Sequence, residues 1–160
     1  MSDEILQASL KRALTGEGAH VEAKNVFDGL DWKLAGAQPE GAPHTIFQLL
    51  SHLIYWQDWV VKWLDGETPP IPERAAGSWP GALGPESAAE WEQSVRQFVE
   101  GFERLISQVD EGDLLAEGDR KSRFEMLQTI ASHNSYHLGQ AVHLRQMLGA
   151  WPPPGGGLTW

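Results

Sequence analysis

The chain has 160 residues, 41% of them apolar, with eight tryptophans, no cysteine and a net charge of −10. That size and apolar content fit a single folded domain over residues 1–160 and argue against a disordered chain. The acidity argues against nucleic acid and anionic membranes as partners, and the lack of thiols excludes disulfides, thiolate metal sites and a cysteine nucleophile within the chain.

The periodicity predicts helices and no strand. Residues 3–14 carry Ile5, Leu6, Leu10 and Leu14 on one edge, with Ser2 or Asp3 as a cap, and Gly16 and Gly18 interrupt the pattern. A second segment over 19–30 has Val21, Lys24 and Phe27 at helical spacing and Leu30 near its end; DWKLAGAQPEGAP then reads as loop. Residues 44–65 form a long helix after Pro43, capped by His44 or Thr45. Leu50, Leu53, Ile54, Val60, Val61 and Leu64 supply its core face, and Trp56, Trp59 and Trp63 line the flank that holds His52. The longest apolar run within it, residues 49–64, is too short and too polar for a membrane span. The N-terminus lacks the basic start and apolar run of a signal peptide, so a cytoplasmic location is expected.

Residues 66–85 hold five prolines and four glycines, which predicts a long loop, either a lid over a pocket or a crossover connection. Residues 86–109 are the next helix, with Trp91, Val95, Phe98, Phe102, Leu105 and Val109 as a bundle seam and Glu92, Arg96, Glu100 and Arg104 outward. EGDLLAEGDRKS links to a helix over 124–148. The Pro- and Gly-rich tail is extended, with Trp151 and Trp160 available to pin it.

His133 and His137 are one turn apart on the last helix, so both imidazoles share a face. Ile130, Ala141, Leu144 and Leu148 lie close to that face and turn it inward. His52 sits in the most apolar stretch of the chain. Three neutral imidazoles with an open position suit zinc or nickel. Spacing alone leaves the alternative open, in which each is a core histidine bonded to a carbonyl. A zinc protease needs HExxH, but position 134 is Asn. A di-iron carboxylate bundle needs paired ExxH motifs, and Glu17 to His20 is the one instance, at a glycine-rich break.

LLSHL around His52, the HNSYHLGQ run and the ending LRQMLGAWPPPGGGLTW together resemble the DinB-like superfamily, which includes YfiT-type proteins and bacillithiol- or mycothiol-dependent enzymes. The resemblance implies an all-α, up-down-down-up four-helix bundle with a divalent metal, zinc or nickel, on His52, His133 and His137. It implies a small-molecule substrate, an external low-molecular-weight thiol as nucleophile, and a homodimer. His20 is a candidate acid–base group near the open metal position, against a surface or packing role. His143 is expected in solvent. Asn134 and Gln140 can orient a bound water or an imidazole N–H, and Gly139 can permit close helix approach. Two other functional readings stay open: a non-catalytic, stress-related metal- or ligand-binding bundle, and a metal-dependent hydrolase, for which His20 is the available base.

Overall fold

The computed structural model describes residues 2–116 and 121–157. The Ser2 side chain, offered above as a cap, and Trp160, offered as a pin for the tail, lie outside the described residues, as does part of the linker over 117–120. The structure is all helical, with no strand among the described residues. In chain order the α-helices are α1 (Ser2–Thr15), the single turn α2 (Trp32–Ala35), α3 (Ile46–Leu64), α4 (Ala88–Gln108) and α5 (Arg123–Met147).

The three longest helices start where their sequences supply caps. Thr45 Oγ1 accepts from Gln48 N while Gln48 Oε1 accepts from Thr45 N, both at 3.1 Å, closing a capping box on α3. Ser122 and Glu125 form the same box on α5, and Ser87 caps α4. Once started, each helix buries a stripe. Leu50 and Leu53 of α3, Phe98 and Leu105 of α4, and Leu127 of α5 are fully buried in one core. Each such side chain contributes about 2 kcal/mol by leaving water.

Contacts between helices fix their directions. Asp58 faces Arg104 at 3.8 Å, and Asp65 accepts from Gln108 at 2.8 Å, so α3 and α4 run parallel. Arg123, at the start of α5, donates to Leu64 O at the end of α3 at 3.0 Å, while His52 meets His133 midway, so α5 is antiparallel to α3. Gln7 of α1 donates to Val109 O near the start of α5, and His20 beyond α1 reaches Ser135 halfway along it. The bundle is therefore up-down-down-up.

A parallel pair places two helix C-termini side by side, each with unsatisfied carbonyls and partial negative charge. The Arg123 guanidinium answers both: it donates to Leu64 O, to Gln108 O and to the Gln108 side chain. A parallel pair also demands a crossover. The 19 residues of α3 span about 28 Å, which residues 65–87 must retrace.

Two expectations are corrected. Residues 19–30 are not a helix but a string of turns with one 3-10 turn, Ala23–Asn25. Val21, Phe27 and Leu30 are buried as their spacing suggests. The carbonyls of Val26 and Asp28, however, accept from the buried Arg145 guanidinium at 2.6 and 2.9 Å. A helix would have tied them up internally. Residues 32–35, expected as loop, make the turn α2 because Asp31 Oδ1 accepts from Lys33 N. It ends at Gly36, which lies against Gly84 so closely that a Cβ would sit 2.8 Å from the Gly84 Cα.

Candidate metal centre

Antiparallel packing of α3 on α5 carries His52 onto the face that holds His133 and His137. One ring nitrogen from each lies within 4.8 Å of the other two, and His52 Nε2 is 3.1 Å from His133 Nε2. His52 and His137 are buried at 5% and 9% exposure, and His133 is half-buried. Among the described residues no carboxylate or fourth imidazole joins the cluster.

The surroundings set the tautomers. His52 Nδ1 donates to Ser78 O at 3.2 Å, His137 Nδ1 to Gln140 Oε1 at 2.7 Å and His133 Nδ1 to Asn134 Oδ1 at 3.4 Å. An oxygen of a carbonyl or amide only accepts, so each Nδ1 carries the hydrogen and each Nε2 keeps its lone pair. Two such lone pairs at 3.1 Å repel unless something positive stands between them. A divalent cation that takes imidazole nitrogen fits this donor set.

Burial also keeps the rings neutral. Desolvation pushes His52 down from 6.5 to about 4, against the pull of its Ser78 hydrogen bond, and the neighbouring histidines add to the fall. His133 is lowered to about 4, mainly by burial and then by His137, and His137 is lowered by burial despite its bond to Gln140. At neutral pH all three are ready to bind a cation without first losing a proton.

The crossover builds the outer wall. Trp79 stacks flat on His52, with centroids 3.8 Å apart and planes 8° apart, and His44 stacks on its other face at 3.7 Å. Neighbouring Ser78 gives the carbonyl that orients His52. A cavity of about 650 Å³ opens from His133 along the α3–α5 seam. Trp56, Trp59 and Trp63 form one side, Met126 and Ile130 the other, and Thr68–Ile71 of the crossover close over it. A larger groove of about 910 Å³, between α3 and α4, contains no histidine. Tyr55 lines that groove rather than the centre.

His20 does not approach the centre. Its Nδ1 donates to Val21 O at 2.8 Å, and its Nε2 meets Ser135 Oγ at 3.1 Å. At 100° per residue, position 135 points about 180° away from the mean direction of 133 and 137. His20 is thus behind α5, bonding the end of the first helical segment to it. His143 is exposed, and His44 leaves capping to Thr45 and stacks on Trp79 instead. Gln140 and Asn134 hold the imidazoles, although the Asn134 amide nitrogen has no protein partner. Gly139 does not serve close packing, since a Cβ there would meet nothing within 4 Å. Sequence reasoning passed over Ser78 and Trp79. The available signal was a tryptophan inside a Pro/Gly-rich connection, where solvent alone gives no reason for an indole.

Fold and site together define an all-helical bundle with a three-histidine centre able to bind a metal, a combination that fits a metal-dependent enzyme. The chain belongs to the DinB superfamily, whose family model matches residues 17–141, more than three quarters of its length. No curated protein and no solved structure matches the chain. Among the described residues no helix is long and apolar enough to cross a membrane.

Proposed function

We propose that the protein is a metal-dependent enzyme of the thiol S-transferase type, using zinc or nickel on His52, His133 and His137. The observation that carries this reading is the convergence of three Nε2 lone pairs beside an apolar cavity. Such an ion, when bound, lowers the pKa of a thiol or water at its remaining positions. The chain's own part is to position and exclude. Ser78, Gln140 and Asn134 hold the rings in the tautomer that presents Nε2. Trp79 keeps the His52 plane fixed, and the tryptophan wall keeps water from the reacting end of a bound electrophile. The nucleophile comes from outside, as the lack of cysteine requires. Its S–H proton passes to solvent, and as the new C–S bond forms the electrophile's bond to its leaving group breaks, the leaving group departing to solvent with the electron pair. Hydrolysis is the weaker reading, because the base it required, His20, is bonded to Ser135 behind α5.

Chelator-treated protein reloaded with zinc or nickel should take up about one ion per chain, and His133→Ala should abolish uptake. The loaded protein should then couple a low-molecular-weight thiol to a chromogenic electrophile. Stoichiometric uptake by the variant would refute the ligand set. Uptake by the wild type without turnover across several thiols would leave a binding bundle instead.

A further inference from the structure

The cavity beside His133 carries one more chemical instruction. Its walls are mostly apolar and aromatic, and the one charged side chain among the described lining residues is Lys121. The Lys121 ammonium donates to Thr129 Oγ1 at 3.2 Å. No carboxylate among the described residues lies within ion-pair distance of it, and nearby Glu125 is turned to the Ser122 backbone and hydroxyl at 2.7 and 2.9 Å. Among the described residues this ammonium, at the rim of a tryptophan-lined space, feels Glu125 at longer range but pairs with no carboxylate, in a chain of net charge −10.

Its position sets a distance. Lys121 reaches Thr129, which is four residues, or about 6 Å of rise, from His133 on the same helix. The cavity's roughly 650 Å³ is the size of a small-molecule pocket. The Trp59 indole N–H is already used by Pro70 O at 3.0 Å, so Trp59 presents ring surface rather than a donor.

We propose that the cavity binds a planar aromatic acid. Its carboxylate accepts from Lys121 Nζ, which also donates to Thr129 Oγ1, its rings lie along the tryptophan wall, and its far end lies at His133 about one helical turn away. Only the placement of the reacting end rests on the metal reading; the binding of the acid does not. A cationic ligand is opposed by the ammonium, and a neutral apolar one leaves it unused.

The test is calorimetric titration with 2-naphthoate and with 2-naphthamide, the same rings without the charge, in both chelator-treated and zinc-loaded protein. The wild type should bind the acid about fivefold or more tightly than the amide in both states. Lys121→Met should bring that ratio to about one, and Lys121→Arg should restore it. Trp59→Leu should weaken both ligands alike. Equal affinities in the wild type, or no saturable binding of either, overturn the inference. A ratio that appears only with zinc and survives Lys121→Met also overturns it, because the acid then sits on the ion, and the metal reading stands. If the protein takes up no metal yet keeps a Lys121-dependent ratio, the acid site stands and the metal reading falls.

Discussion

The depressed basicity of the triad has a direct consequence for metal affinity. Consider lowering the pH from 7 to 5.5. A site of three ordinary histidines, each titrating at 6.5, loses about 600-fold in affinity over that interval through proton competition alone. Here His52 and His133 titrate at about 4 in the metal-free protein, so each is still about 97% neutral at pH 5.5. Even with His137 left at its ordinary value of 6.5, from which burial lowers it, the whole site loses no more than about ninefold. Zinc affinity can be read by competition with a chromogenic chelator whose own proton competition is calibrated at each pH. A loss below about tenfold is expected. A loss of hundreds-fold would mean that the imidazoles titrate as free ones, and the buried arrangement held by Ser78, Asn134 and Gln140 would be refuted.

The same burial makes the metal-free fold sensitive to acid. His52 binds its proton at 6.5 when unfolded and at about 4 when folded, so stability is complete above 6.5 and falls as pH drops toward 4, by about 3 kcal/mol from this residue. Urea midpoints at pH 7 and pH 4 should fall further for the wild type than for His52→Gln; equal falls would contradict the burial argument. Arg123→Met should cost about 2 kcal/mol, because the ends of α3 and α4 lose their shared donor; a change below about 0.5 kcal/mol would show that the parallel ends need no bridge. Gln57 is buried against Gly101 with neither amide atom partnered by the protein, so Gln57→Met should raise stability by about 1 kcal/mol, and a clear loss would reveal a tightly held water. Trp79→Ala should weaken zinc binding by about tenfold while helical circular dichroism is retained; unchanged affinity would remove Trp79 from the site.

The helices α1, α3, α4 and α5 were legible because each combines an apolar stripe with a local start signal, and both act within a few residues. The three histidines were legible for a related reason: a stretch apolar around most of its circumference makes an embedded His52 conspicuous, and the HxxxH pair fixes its own geometry. Residues 19–30 were not legible, because what decides them is Arg145, 119 positions beyond Val26, whose guanidinium claims their carbonyls. A guanidinium at 2% exposure looks in sequence like any arginine of a last helical turn. His20 was misplaced for a different reason. Its sequence neighbourhood says nothing about which side of α5 it will meet, and only the bond to Ser135 decides it.

The long connection offered two readings, lid or crossover, and the topology makes them one. Retracing the roughly 28 Å of α3 needs only about nine extended residues. The connection between Leu64 and Ala88 has 23, so more than half of it is surplus to spanning. That surplus lies on the face of α3 that holds His52, and it is divided by role along its length. Its first half meets the tryptophan wall, with Pro70 O accepting from Trp59, and shapes the cavity. Its second half meets the triad, with Ser78 O and Trp79 fixing His52. The parallel arrangement of α3 and α4 makes such a crossover unavoidable, and the crossover passes over the one helix face that carries His52. Changes over 68–71 can therefore reshape what the cavity admits without moving an imidazole, whereas changes at 78 and 79 act on the centre itself. The helices hold the three nitrogens in place, and the crossover closes one side of the cavity beside them.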